Sequence, residues 1–158
     1  NKRVYVEYGI VDEFVQDNHS ISREAGTLRG LHFQAPPNAQ AKLVRCGRGA
    51  IFDVALDIRR GSPTYGKWEG YNLTAENGHQ LYVPIGFAHG FVTLEPDSEI
   101  VYKCSDYYTP ELEGAISWSD PAIKIDWPTS SNLILSKRDA VAPMFSNIKS
   151  PFIYGVNS

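Results

Sequence analysis

Short runs rich in Val, Ile, Tyr and Phe recur along this 158-residue chain, each cut off by Gly or Pro. That punctuation predicts many short strands rather than helices. Strands are expected at Leu28–Gln34, Ala41–Cys46, Ala50–Ile58, Lys67–Leu73, Gln80–Val83, Gly90–Leu94 and Glu99–Cys104. In Ala50–Ile58 both alternating faces are partly apolar, which predicts a central strand. Short helical turns are expected only at Lys137–Ala142 and around Tyr8–Phe14. Asn1–Glu7 reads like the middle of an element, so the natural chain is expected to start earlier. No repeat or linker divides the sequence, and one domain over residues 1–158 is expected, with 129–158 as a C-terminal segment packing on it. Many strands at short spacing predict an all-β sandwich or barrel, and their order is consistent with a jelly roll.

Polar residues embedded in these apolar runs carry the chemical information, because a buried polar group needs a partner or a function. Arg29 and His32 lie in LRGLHF, Lys42 in KLVRC, Asp53 and Asp57 in IFDVALDI, His89 in FAHGF and Tyr102 in IVYKC. A barrel mouth lined with His, Lys, Arg and Tyr suits a polar, anionic small molecule. Strict alternation puts Arg29 and His32 on opposite faces, so sharing a pocket needs a bulge, and Gly30 is the place for it. Tyr102 shares a face with Ile100 and Cys104 and is expected to point inward. Val83–Gly90 reads as a Pro/Gly turn that delivers His89 at the start of a strand. Asp53 is read as a structural hydrogen-bond acceptor.

Composition narrows the field. Hydrophobic residues make up 42% of the chain, which excludes disorder. Fifteen basic against 18 acidic residues leave a net charge of −3, which argues against nucleic acid as a partner. No run approaches a membrane span, and a cytoplasmic location is expected. Two cysteines, Cys46 and Cys104, sit in strand-like runs and read as buried thiols. None of the four histidines is spaced from another as metal ligands are, so no metal is expected.

Seven ordered motifs then carry a resemblance. They are QDNHS at 16–20, LRGLHFQ at 28–34, QAKLVRC at 40–46, IFDVALDIRRGSPTYGKW at 51–68, GFAHGF at 86–91, the run from Val101 to Pro128, and LSKRD at 135–139. Together they resemble the dTDP-4-dehydrorhamnose 3,5-epimerase family of cupin-type jelly rolls. The resemblance implies His32 as general base, Asp139 as its paired carboxylate and Tyr102 as general acid. It implies substrate contacts from Gln16, Asp17, Asn18, Arg29, Lys42 and His89, stacking of the thymine on Tyr108, and nucleotide or substrate contacts from Glu113 and Arg138. Arg138 stands where the family usually has Lys. The family's early DxRG segment does not occur in the sequence. A homodimer is also implied, with Val4-Tyr5-Val6 as a stretch that crosses to a partner sheet.

The implied chemistry needs no cofactor. A C4 ketone on the sugar acidifies the hydrogens at C3 and C5, a base removes one, and an acid on the opposite side returns it with inversion. Lys42 suits the developing C4 oxyanion. Alternatives are a 3- or 5-epimerase acting on one carbon, a 3,4-ketoisomerase, and a non-catalytic sugar-binding barrel. Ketoisomerase barrels use paired His and lack the Tyr of VYK, so Tyr102 speaks against that reading.

Overall fold

The computed structural model describes residues 1–128 and 132–155. The first three and last three residues of the expected packing segment 129–158 lie outside the described residues. Eight strands build the body: β1 (Gln16–Ser22), β2 (Thr27–Gln34), β3 (Lys42–Arg48), β4 (Ala50–Asp57), β5 (Trp68–Thr74), β6 (Gln80–Val83), β7 (Phe87–Thr93) and β8 (Ser98–Cys104). Two short strands follow, β9 (Glu113–Ala115) and β10 (Ile134–Leu135), and both pair with β2. One sheet has the order β1-β8-β3-β6, and the other runs β10-β2-β7-β4-β5. Among the eight main strands the chain crosses between sheets after β1, β2, β3, β5, β6 and β7. Strand pairs that are distant in sequence, β1·β8 and β2·β7, therefore lie side by side. This is the jelly-roll order, with antiparallel pairing throughout the eight main strands.

Two apolar cores hold it together. Between the sheets, Val44, Cys46 and Ile100 meet Ile51, Leu73 and Phe91. On the far face of the second sheet, Leu31, Val54, Leu56, Ile58 and Ala88 are covered by Ile116, Ile123 and Phe152, with Phe145, Ile148 and Trp127 packed around them. Thus β4 is apolar on both faces because both faces are covered, as expected for a central strand. Each large side chain fully buried here contributes about 1.5–3 kcal/mol. The described part of the C-terminal segment packs on the barrel through Phe145, Ile148 and Phe152.

Several expectations are corrected. Lys2–Glu7 is an α-helix (α1), not part of a strand: Asn1 Oδ1 accepts from Val4 N at 3.3 Å as its N-cap. Val4-Tyr5-Val6 therefore lies in a helix and not in a strand, with Val4 and Val6 exposed. No helix forms at Tyr8–Phe14, where a turn at Tyr8–Gly9 leads into irregular chain. The strand holding His89 begins at Phe87, so His89 sits within β7 and not at its start. Gln16–Ser22, not anticipated as a strand, pairs with β8 along its whole length. A one-turn 3₁₀ segment at Asp139–Val141 falls inside the predicted 137–142 turn.

The bulge forms where glycine permits it. The β2–β7 register shifts between Arg29 and His32, and Gly30 has φ +114°. A Cβ on Gly30 would lie 2.6 Å from Gly90 Cα and 2.7 Å from His89 O. Only two glycines facing one another allow the backbones to come this close.

Candidate active site

Along the strands the space between the sheets changes character. At one end it is the apolar cluster around Val44, Ile51 and Ile100. Moving along β3, β4, β7 and β8 by twos, the inward positions become Lys42, Asp53, His89, Tyr102 and Cys104. A cleft opens there in two adjoining parts, of about 360 and 280 Å³, which share His32, Lys42, Tyr102 and Arg138. Gln16, Asn18, Gln40, Cys104, Tyr108 and Glu113 line the first part. Ser20, Arg29, His89, Phe91, Ser136 and Asp139 line the second. The bulge at Gly30 does what alternation forbids and brings Arg29 and His32 to one cleft.

His32 is the best-supported side chain in the cleft. Its Nε2 lies 2.6 Å from Asp139 Oδ1. Asp139 is 3% exposed, and its other oxygen accepts from Ser136 Oγ at 2.8 Å, while Ser136 Oγ accepts from Asp139 N at 3.0 Å. This local turn fixes the carboxylate, so Nε2 carries the proton donated to it and Nδ1 is left free on the cleft side. Burial pushes the His32 imidazole below the ordinary histidine value, and Asp139 acts against that by favouring the charged form.

Tyr102 stands on the opposite wall, on β8 of the other sheet. Burial pushes its phenol up, Cys104 adds to the rise, and Arg29 opposes it. Lys42, on β3, has no hydrogen bond or ion pair among the described residues, and burial pushes its ammonium down. A cation held there without a counter-ion is a natural seat for negative charge on a ligand.

A second His–carboxylate pair backs the cleft. His89 Nε2 lies 2.7 Å from Asp53 Oδ1, and both residues are buried. Asp53 is the acceptor that its strand position suggested, although its partnership with His89 was not foreseen.

At the mouth, Glu113 Oε2 accepts from Tyr108 Oη at 2.6 Å and from Arg138 Nη1. Burial alone would raise the Glu113 carboxyl, but Arg138 and Tyr108 hold it below the ordinary carboxylate range. The Tyr108 loop is tied down by Gln34, whose Nε2 donates to Tyr107 O and whose Oε1 accepts from Thr109 N, each at 2.9 Å. Gln16 Oε1 also accepts from Tyr108 N at 2.9 Å. The Tyr108 ring stays half-exposed.

Of the residues given catalytic or substrate-contact roles in the sequence, all but one line the cleft. The exception is Asp17. Side chains alternate along β1, so Gln16, Asn18 and Ser20 turn inward while Asp17 turns out and pairs with Lys103 at 2.7 Å. Gln40, Ser136 and Cys104 line the cleft without having been selected. Ser136 carried a local signal, a serine three residues before the aspartate it caps. Cys46 and Cys104 are both free thiols.

The fold and cleft define a cupin-type jelly roll with a polar cleft, lined by titratable side chains, between its two sheets. Comparison with known proteins narrows this. The family model for dTDP-4-dehydrorhamnose 3,5-epimerase matches residues 1–147, and the chain belongs to that family. The Salmonella typhimurium dTDP-4-dehydrorhamnose 3,5-epimerase is 59% identical over 131 residues, covering 83% of this chain and 71% of the relative. A Legionella pneumophila 3,5-epimerase, solved with dTDP-4-keto-L-rhamnose bound, superposes with a TM-score of 0.92 at 46% identity, over 98% of this chain and 82% of the other. The Bacillus anthracis dTDP-4-dehydrorhamnose 3,5-epimerase, solved with TDP and pyrophosphate, has a TM-score of 0.88 at 49% identity, over 91% and 82%.

Proposed function

We propose that this chain inverts C3 and C5 of dTDP-4-keto-6-deoxyglucose, giving dTDP-4-keto-L-rhamnose, as a step in deoxysugar supply for polysaccharide synthesis. One observation supports it above the others: a carboxylate-held histidine and a tyrosine stand on facing sheets across one polar cleft. Inversion needs proton removal on one side of a carbon and proton delivery on the other, and this arrangement supplies both.

The roles follow from the chemistry of each group. Nε2 of His32 is committed to Asp139, so Nδ1 takes the proton from carbon, and Asp139 stabilises the imidazolium that forms. The substrate's own ketone accepts the electron pair, and Lys42 faces the resulting enolate oxygen. Tyr102 returns a proton from the opposite wall, with a phenol that burial makes reluctant to ionise until a strongly basic carbon is present. His89, oriented by Asp53, and Arg29 meet the sugar and its diphosphate. Arg138 adds a fork of donors suited to a phosphate. The Tyr108 ring offers a face to the thymine, with Gln16, Asn18 and Glu113 beside it.

The active species we propose is a homodimer. The exposed apolar residues Val4, Val6, Val11, Val15 and Ile21, all near the chain start or on the outer side of β1, suit a partner copy. Light scattering should then give about twice the 17.6 kDa chain mass. We also propose a cytoplasmic location. No helix among the described residues is long and apolar enough to cross a membrane.

The direct test is incubation with dTDP-4-keto-6-deoxyglucose in D₂O, followed by proton NMR. Deuterium at both C3 and C5 of an L-rhamno product supports the proposal, and uptake at only one carbon would establish a single-site epimerase instead. Full exchange in a His32→Ala variant would remove His32 as the base.

A further inference from the structure

We infer that Glu113 carries the proton away from His32 between the two inversions, through the carboxylate oxygen that faces the base. The inference rests on the double epimerisation proposed above. That reaction sets a requirement that a single inversion does not. After the first inversion His32 holds the proton taken from carbon, and Tyr102 has given its own away. The sugar is still bound, and the second carbon cannot react until the imidazolium is neutral again.

The way out for that proton is restricted. His32 Nε2 is closed off by Asp139 at 2.6 Å, so the added proton sits on Nδ1. Glu113 Oε1 is the carboxylate oxygen nearest it, at 4.0 Å. A movement of about 1 Å closes that gap to a hydrogen bond. Its other oxygen, Oε2, is held by Tyr108 and Arg138 at the mouth of the cleft. Glu113 thus has one oxygen toward the base and its anchors toward solvent, where Tyr108 is half-exposed. The protons balance: the imidazolium N–H passes to Oε1, then to water, and the tyrosinate takes one proton from solvent. Nothing is consumed, and both groups return to their starting forms.

The experiment compares the protein with Glu113→Gln in D₂O, following the singly and doubly inverted sugars by NMR through the first turnovers. The glutamine of E113Q keeps an oxygen for Tyr108 and Arg138 but does not take up a proton. The ratio of singly to doubly inverted sugar is expected to rise about tenfold or more. Added formate, a small carboxylate able to enter the cleft, should bring the ratio back. A residue that only binds the nucleotide would slow both inversions alike and leave the ratio unmoved. An unchanged ratio, or a raised one that formate does not lower, overturns the inference. If the unsubstituted protein exchanges neither hydrogen, the reading of the reaction itself has failed. If it exchanges both while E113Q keeps the ratio, only the role of Glu113 has failed.

Discussion

Replacing Asp139 by Asn removes one charge from the base and almost nothing from the shape. The residue is 3% exposed, its carboxylate accepts from His32 at 2.6 Å and from Ser136 at 2.8 Å, and the oxygen of an amide in its place can go on accepting from the Ser136 hydroxyl. The loss of a charge-assisted hydrogen bond is worth about 1.5–3 kcal/mol, or about 10- to 100-fold. A second effect adds to this. An amide NH₂ turned toward Nε2 places the imidazole proton on Nδ1, the nitrogen that must accept from carbon. A positioned general base contributes about 10²–10⁴-fold. We therefore expect D139N to lose about 10³-fold in kcat, near 4 kcal/mol of barrier, with the melting temperature little changed. The assay is kcat/KM against pH, read by deuterium uptake. As the proposed base His32 must be neutral to act, so activity should be lost as pH falls through its pKa, which burial has already lowered. Asp139 favours the imidazolium, so its removal moves the acid limb further down while the plateau drops. A plateau within about threefold of the unsubstituted protein, or a limb that moves up, would refute the reasoning.

Other outcomes are expected from the same structure. Tyr102→Phe should keep exchange of the abstracted hydrogen with solvent while inversion falls about 10²–10⁴-fold, measured as deuterium uptake with retained configuration. Burial alone would raise the Asp57 carboxyl, but donors from Arg59, Ser62 and Thr64 hold it at about 2. Its stabilisation, on the order of 2 kcal/mol, is present above the unfolded carboxylate value and disappears as pH falls from about 4 to about 2. Urea titrations should show that loss, and Asp57→Asn should flatten it. Gly30→Ala should cost about 2–4 kcal/mol and most of the activity, because its Cβ meets Gly90 Cα at 2.6 Å and its φ is +114°; an active, equally stable G30A would show that the bulge is dispensable.

What could be read from residues alone followed from burial. Strands covered on a face announced themselves as Val, Ile and aromatic runs, and β4, covered on both, was the clearest. β1 was missed because its inward side chains line a polar cleft and its outward ones meet solvent, so Ile21 is its only apolar residue. The helix at Lys2–Glu7 was missed because it buries nothing; one Asn1 cap marks it. The site divides similarly. His32, Tyr102 and Asp139 were legible through motifs, and the need for a bulge at Gly30 through alternation. Asp17 came in with its motif although the same alternation, applied to β1, turns it outward. The Asp53–His89 pairing was out of reach, since it depends on the register of β4 against β7, which places Ala55 opposite His89 and leaves Asp53 one inward step away.

The division of the cleft between two sheets has a consequence for how this molecule can fail. The proposed base, His32, belongs to β2 and the proposed acid, Tyr102, to β8, strands that are not neighbours and do not share a hydrogen bond. Neither sheet holds a working pair by itself, and a species with both sheets formed but not closed on each other would invert no carbon. Turnover is therefore a gauge of closure. In a chemical titration, activity should vanish with the first separation of the layers, ahead of circular dichroism if the sheets outlast their contact.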